Sequence, residues 1–338
     1  MNTRLKKIKK TFLIASAILM LSTSISFANI VTERISGEDR YKTSINVSKN
    51  NFKNTDYVII ASGENYPDAL MGGALSTQTE SPILLVGKNY IPDGLIEEIS
   101  RLSPKKIFVL GGVNSISDST LEDIKTKTGI NTSRVAGKDR FETANLINEL
   151  RLDLNGTTDD DLDGITWHYY GAVSSRNFYD ALYSAPYVGM YKDKDSKWLI
   201  QLQLFDGVMD FNKYFGDFGF AIGDIKERNR NGALFPSLTR GKNRYETSVM
   251  IAKEYNRPYG INITPDTAVI TSGEDFPDGL SSAGVTAIRK APILLTKKTQ
   301  LDSSVKNYLK NNHIKTVVIV GGENSVSSSV ESEIRKIK

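Results

Sequence analysis

The chain has no cysteine and only two histidines, His168 and His313. The first absence removes disulfides, thiolate metal sites and a cysteine nucleophile, and the second removes any histidine pair at metal-ligand spacing. No Gly-x-Ser-x-Gly elbow, Gly-x-Gly-x-x-Gly fingerprint or Walker pattern occurs. Paired carboxylates could run glycoside hydrolysis, but no acid pair stands apart from residues that read as helix caps. The catalytic inventory is thin, and neither a metal nor a cofactor is expected.

Long apolar runs are equally scarce. The one candidate, Phe12 to Phe27, follows Arg4, Lys6, Lys7, Lys9 and Lys10 and closes on Ser26-Phe27-Ala28. It is too short and too serine-rich for a membrane span and reads as a secretory signal peptide over 1–28, cleaved after Ala28. An exported, soluble chain that is not membrane-embedded is the expectation. The signal holds five of the 43 basic residues and none of the 39 acidic ones, leaving 38 against 39 and a net charge of −1. The basic isoelectric point therefore reports the export signal, and attraction to nucleic acid is discarded. Any anion has to be held by local arginines and backbone amides.

What is present is repetition. Ser62-Gly63-Glu64-Asn65-Tyr66-Pro67-Asp68-Ala69-Leu70 returns as Ser272-Gly273-Glu274-Asp275-Phe276-Pro277-Asp278-Gly279-Leu280, and in worn form as Asn177-Phe178-Tyr179-Asp180-Ala181-Leu182. Each copy follows a short apolar run and reads as a strand, a turn and a helix start. Proline suits the first helical position and an acid suits the positive helix end, so Asp68, Asp180 and Asp278 are either helix-start residues or ligand contacts.

A second motif sets the period. Gly37-Glu38-Asp39-Arg40-Tyr41 matches Gly137-Lys138-Asp139-Arg140-Phe141 and Gly241-Lys242-Asn243-Arg244-Tyr245, at offsets of 100 and 104. A period near 100 means repeated domains rather than solenoid turns. Within the first copy Tyr41, Ile45, Ser48 and Phe52 share a helical face. Strands are expected at 57–61, 83–86 and 107–110, with helices from Pro67 and Pro92. Their unalternated apolar runs suit strands buried on both faces of a parallel sheet. The fold class expected is α/β, with three tandem small three-layer parallel-sheet domains over 29–133, 134–237 and 238–338.

The middle copy departs from its neighbours. Pro-Ile-Leu-Leu becomes Trp198-Leu199-Ile200-Gln201-Leu202, the Gly-Gly turn becomes Gly223-Asp224, and Asp159-Asp160-Asp161 sits in an inserted loop. Half of the chain's 30 aromatic residues fall between Trp167 and Phe220. They either refill a core whose aliphatic pattern drifted or form a contact face for sugars or a protein partner.

Two features carry chemical possibilities. The turn Gly111-Gly112-Val113-Asn114-Ser115, echoed by Gly321-Gly322-Glu323-Asn324-Ser325, leaves a strand for a helix that Ser117 or Asp118 can cap. Amides at such a turn can cradle a phosphate. Arg40, Arg140 and Arg244 each stand beside an aromatic ring and offer two-point geometry to phosphate or carboxylate. The alternative is a structural role, as salt bridges to Asp68, Asp180 or Asp278 or as bridges between domains.

With these motifs laid out, over about Glu33 to Lys338, the chain resembles the clostridial cell-wall-binding repeat family, second type. The resemblance implies three α/β modules packed as a pseudo-threefold triangle. It also implies a secreted surface protein held non-covalently on an anionic, teichoic-acid-like wall polymer, with other surface-layer proteins as further partners. Family members commonly pair the triplet with an effector domain, and none is expected outside these modules. The candidate polymer contacts are Arg40, Tyr41, Arg140, Phe141, Arg244 and Tyr245, with Asp68, Asp180, Asp278 and the turn residues Gly111, Gly112, Asn114, Gly321, Gly322 and Asn324. Tyr179 replaces the proline before Asp180, so modules one and three are expected to bind better than the middle one, with Arg140 the least important arginine. Competing readings are an adhesive surface protein using the aromatic-rich middle module and a secreted enzyme on wall glycans.

Overall fold

A computed structural model describes residues 29–158, 161, 170–191, 199–213, 217–232, 237–257 and 261–337. The signal-peptide expectation, Trp167, His168, Trp198, Asp159 and Asp160 lie outside the described residues.

In chain order the elements begin with β1 (Val31–Ile35), α1 (Arg40–Asn51), β2 (Tyr57–Ser62), α2 (Gly72–Thr79), β3 (Ile83–Val86), α3 (Leu95–Leu102), β4 (Lys106–Leu110), α4 (Asp118–Thr128) and β5 (Asn131–Val135). The middle part holds α5 (Arg140–Asn155), β6 (Tyr170–Ser174), α6 (Tyr179–Met190), β7 (Gln201–Phe205), β8 (Val208–Asp210), β9 (Phe220–Ile222), β10 (Lys226–Arg228) and β11 (Ser237–Thr239). The last part holds α7 (Arg244–Glu254), β12 (Thr267–Ser272), α8 (Pro277–Arg289), β13 (Ile293–Thr296), α9 (Ser303–Asn311), β14 (Thr316–Val320) and α10 (Ser328–Arg335).

Three four-stranded parallel sheets share one order: β3-β2-β4-β5, β7-β6-β9-β11 and β13-β12-β14-β1. Their central strands are buried on both faces, which explains the unalternated Val/Ile/Leu runs. In each sheet the outer strand comes from the segment that opens the next repeat. β1 therefore leaves its own repeat and pairs with β14 in the third sheet, Ile35 opposite Val320. The expected divisions at 133/134 and 237/238 fall inside β5 and β11.

The three repeats meet through the helices that follow the Pro-Asp motifs. Pro67–Ala69 form one turn of 3-10 helix before α2, whereas Pro277 opens α8 directly. At the entry to these helices Tyr66, Phe178 and Phe276 face one another, with ring centroids 5.5, 5.7 and 6.3 Å apart. Leu70, Leu182 and Leu280 line the same small apolar pocket. These are equivalent positions of the three motifs, so they mark the pseudo-threefold axis. Each aliphatic side chain buried here stabilises the fold by about 1.5–3 kcal/mol. Contact is close because Gly189 on α6 lies against α2: a Cβ there would stand 2.1 Å from the Ala74 carbonyl oxygen. Thr77 donates to the Pro186 carbonyl across the same contact at 2.9 Å. The structure is thus three α/β modules arranged as a triangle.

The middle module differs as its motifs suggested. β8 and β10 add a two-stranded parallel ribbon, and Met209, Phe211, Phe218 and Ile225 form a satellite core beneath it. Tyr183 is buried, and the Tyr187 ring meets Tyr255 of the third repeat at 5.3 Å. The described aromatics of this module largely fill core.

Candidate functional site

The opening motifs sit where one sheet ends and the next begins. In each, Asp39, Asp139 or Asn243 caps the following helix by accepting from backbone amides in its first turn. This fixes the next residue, the arginine. Arg40 then donates to the Gly63 carbonyl at 2.6 Å and Arg140 to the Ser175 carbonyl at 3.3 Å, while Arg244 donates to the Gly273 carbonyl. Each guanidinium is tied to the end of the first strand of its own repeat. The chain just before it completes the sheet of another repeat.

The consequence is that an opening motif shares its cleft with the other motifs of a different repeat. Gly321 donates to the Ile35 carbonyl, and Arg34 donates to the Gly321 carbonyl at 2.8 Å. The cleft beside them, about 460 Å³, joins Gly37–Arg40 to Ser272, Asp275, Asp278 and Gly322–Ser325. At the second junction Gly111 donates to Val135 and Arg134 to the Gly111 carbonyl at 2.7 Å, placing Gly137–Arg140 beside the turn of the first repeat. At the third, Gly223 donates to Thr239, so Arg244 faces the worn motifs of the middle repeat.

The three aspartates are turn anchors. Asp68 accepts from the Ser115 hydroxyl at 2.5 Å, Asp278 from Ser325 at 2.6 Å, and Asp180 from the Asp224 amide at 2.9 Å, Asn177 and the Tyr183 hydroxyl. The facing glycine has positive φ, +99° at Gly111 and +122° at Gly321. A Cβ at Gly321 would stand 2.6 Å from the Asp278 carboxylate, so side chains are excluded on both conformational and steric grounds. Burial pushes the Asp278 carboxyl up, reinforced by the negative charge of Asp275, against the Ser325 hydrogen bond. Burial also raises Asp180, against its three hydrogen-bond donors. Among the described residues none of the three makes an ion pair with Arg40, Arg140 or Arg244, but Arg40 reaches Asp275 of the third repeat at 3.6 Å, so the bridge between domains is present at the first junction.

Beyond each anchor the turn opens. Gly112 and Gly322 have no atom within 4 Å of a would-be Cβ. The amides of Gly112, Val113 and Asn114, and of Gly322, Glu323 and Asn324, make no hydrogen bond among the described residues, whereas Ser115 and Ser325 turn back to Gly112 and Gly322. Three successive free amides are geometry that can receive an anion, and at the first junction Arg40 lines the same cleft.

The junctions differ in charge. The first carries Arg40 against Glu38, Asp39, Glu274, Asp275, Asp278 and Glu323, and Arg40 lies 3.6 Å from Asp275. At the second, the matching positions hold Lys138, Asn65 and Val113 where the first has Glu38, Asp275 and Glu323. Among the described residues no carboxylate lies within ion-pair distance of Arg140. At the third, Arg244 is stacked 4.1 Å over the Tyr179 ring, and Asp224 takes the second glycine's place. Tyr41 and Tyr245 pack their rings against Gly63 and Gly273 behind the arginines, and burial raises both phenols. Each ring lies against the glycine whose carbonyl takes the arginine's hydrogen bond.

Sequence reasoning missed Arg34 and Arg134, whose signal is the basic residue three positions before Gly37 and Gly137. Among the described residues no cluster of His, Asp and Glu fits a metal ion, and no helix is long and apolar enough to cross a membrane.

Comparison with known proteins agrees with this division into intact and worn repeats. The chain is 22% identical over 328 residues to N-acetylmuramoyl-L-alanine amidase LytC of Bacillus subtilis, covering 94% of this chain and 60% of that protein. It is 24% identical to the amidase enhancer of the same organism, covering 40% of it. The chain therefore spans about half the length of these relatives. Among solved structures, Cwp6 from Clostridium difficile superposes with a TM-score of 0.71 at 22% identity, over 91% of this chain and 48% of that one. Cwp8 from the same organism gives 0.68 at 21%, over 96% and 55%. The family model for cell wall binding domain 2 matches residues 34–121 and 239–331, more than half of the chain, and skips the worn middle. The chain belongs to the cell wall binding domain 2 (CWB2) family.

Proposed function

We propose that this protein is exported and held non-covalently on the cell wall by an anionic, teichoic-acid-like polymer, with the second junction as its principal contact. The observation that carries this reading is Arg140, without a carboxylate partner among the described residues, on the segment that enters at the Gly111 turn with its open Gly112–Asn114 amides. A phosphate there would receive charge-assisted bonds from the arginine and neutral bonds from the backbone, with Lys138 adding positive charge. The candidate contacts are then Arg140 with Gly111, Gly112 and Asn114, and more weakly Arg40 with Gly321, Gly322 and Asn324, where six carboxylates oppose an anion. Phe141 and the three aspartates position these groups. The relatives include an amidase, but the family is one of binding domains, and we assign this chain no turnover.

The test is co-sedimentation of the mature protein with purified walls, before and after the anionic polymer is stripped. Binding that disappears on stripping, and weakens from about 0.05 to 0.5 M salt, supports the reading. Undiminished binding to stripped walls, or release of sugars or peptides by pure protein, counts against it.

A further inference from the structure

Among the described residues a single aromatic ring stands clear of the surface. Tyr90, in the loop from β3 to α3, is 51% exposed. The ring is held in place. Gly87 donates to the Tyr90 carbonyl at 3.0 Å, the two form an antiparallel bridge, and the edge of the ring pair with Tyr41 sits at 5.7 Å and 73°. A carboxylate flanks it. A Cβ at Gly87 would stand 2.9 Å from the Glu64 carboxylate and 3.1 Å from the Tyr90 Cβ, and the Lys42 ammonium approaches Gly94 of the same loop.

A fixed, exposed ring bordered by a carboxylate matches the chemistry of a pyranose, which has an apolar C–H face and a rim of hydroxyls. Tyrosine supplies such contact area at low entropic cost. The third repeat lacks this arrangement. There Lys298 accepts from Ser327 as Lys88 accepts from Ser117, which puts Gln300 in the place of Tyr90, and Lys297 lies 5.9 Å over the Tyr245 ring. Among the described residues the platform belongs to the first module alone.

We propose that Tyr90, braced by Tyr41 and flanked by Glu64, is a stacking subsite for one pyranose ring of a wall glycan. It rests on the wall-binding reading for the source of the sugar, but the ring face it offers carries no charge. The sugar can come from peptidoglycan or from the backbone of the anionic polymer.

The experiment is saturation-transfer NMR on the wild-type protein, Tyr90→Gln and Tyr90→Phe. Two phosphate-free probes are used: muramidase fragments of peptidoglycan, and polymer fragments dephosphorylated with hydrofluoric acid. Transfer to ring C–H protons of either probe in the wild type and Tyr90→Phe, at least about fivefold weaker in Tyr90→Gln and unchanged in 0.5 M salt, supports the subsite and names its source. Equal transfer in Tyr90→Gln, or no transfer from either probe to the wild type, overturns it. Because the probes carry no phosphate, failure of the charged-polymer reading would show separately, as wall binding indifferent to stripping.

Discussion

Arg34, on the first strand of the chain, donates two hydrogen bonds to the carboxylate of Glu331, 297 residues away, at 3.0 and 2.9 Å. Both side chains are mostly buried, and Thr32 and Arg335 bond the other oxygen. Through this pair the N-terminal strand is fastened to the last helix, closing the ring of three sheets.

Arg34→Ala should therefore destabilise the whole molecule, by about 2–3 kcal/mol for charge-assisted bonds to a partly buried carboxylate. Burial alone would raise the Glu331 carboxyl, but the hydrogen bonds of Arg34 and Thr32 and the charges of Arg34 and Arg335 hold it below the ordinary range. A depressed acid stabilises the fold above its unfolded value and loses that contribution as pH falls through the depressed one. Thermal melts should show the gap between wild type and Arg34→Ala at neutral pH narrowing as the medium is acidified to about pH 3. A gap independent of pH would mean the ion pair does not fasten the strand.

Asp180 predicts the opposite slope. Burial raises its carboxyl, so over the interval between its unfolded and folded values the folded chain holds the extra proton and loses stability as pH rises. Asp180→Asn removes this titration. The melting temperature of the wild type relative to Asp180→Asn should be most favourable near pH 4 and decline toward pH 7. A constant difference would show that Asp180 does not titrate in a changed environment.

The helix contact at the centre should be intolerant of volume. Gly189→Ala places a methyl 2.1 Å from the Ala74 carbonyl oxygen, where backbone has to move. Denaturant unfolding should register a loss of about 2–3 kcal/mol, the scale of overpacking a well-filled core. A neutral effect would mean α2 and α6 can separate without cost.

Much of this architecture was legible in the sequence. The motifs recur in fixed order and each describes a local event: an N-cap, a buried strand, a proline-led helix, a glycine turn. What the sequence did not reveal is which sheet an opening strand completes. Val31–Ile35 has the same residue pattern whether it pairs with β4 or with β14, because pairing depends on the path of the chain between repeats. The ranking of the arginines followed from that choice. Read by repeat, Arg140 belongs with the worn motifs. Read by cleft, it belongs with the intact turn at Gly112, and Arg244 inherits Tyr179 and Asp224. Tyr66, Phe178 and Phe276 were visible as motif members, but their meeting on one axis is a property of the assembled triangle.

The central claim, that wall binding rests chiefly on the second junction, is tested most directly by measuring wall affinity and melting temperature on Arg40→Ala, Arg140→Ala and Arg244→Ala together. The account predicts that Arg140→Ala lowers affinity about tenfold or more with its melting temperature within about 2 °C of wild type, since among the described residues the arginine makes one long bond to the Ser175 carbonyl and no ion pair. Arg244→Ala, which loses a bond to the Gly273 carbonyl and a stacked ring, should lose more stability and less affinity. Wild-type affinity in Arg140→Ala, with binding lost in Arg244→Ala, would contradict it.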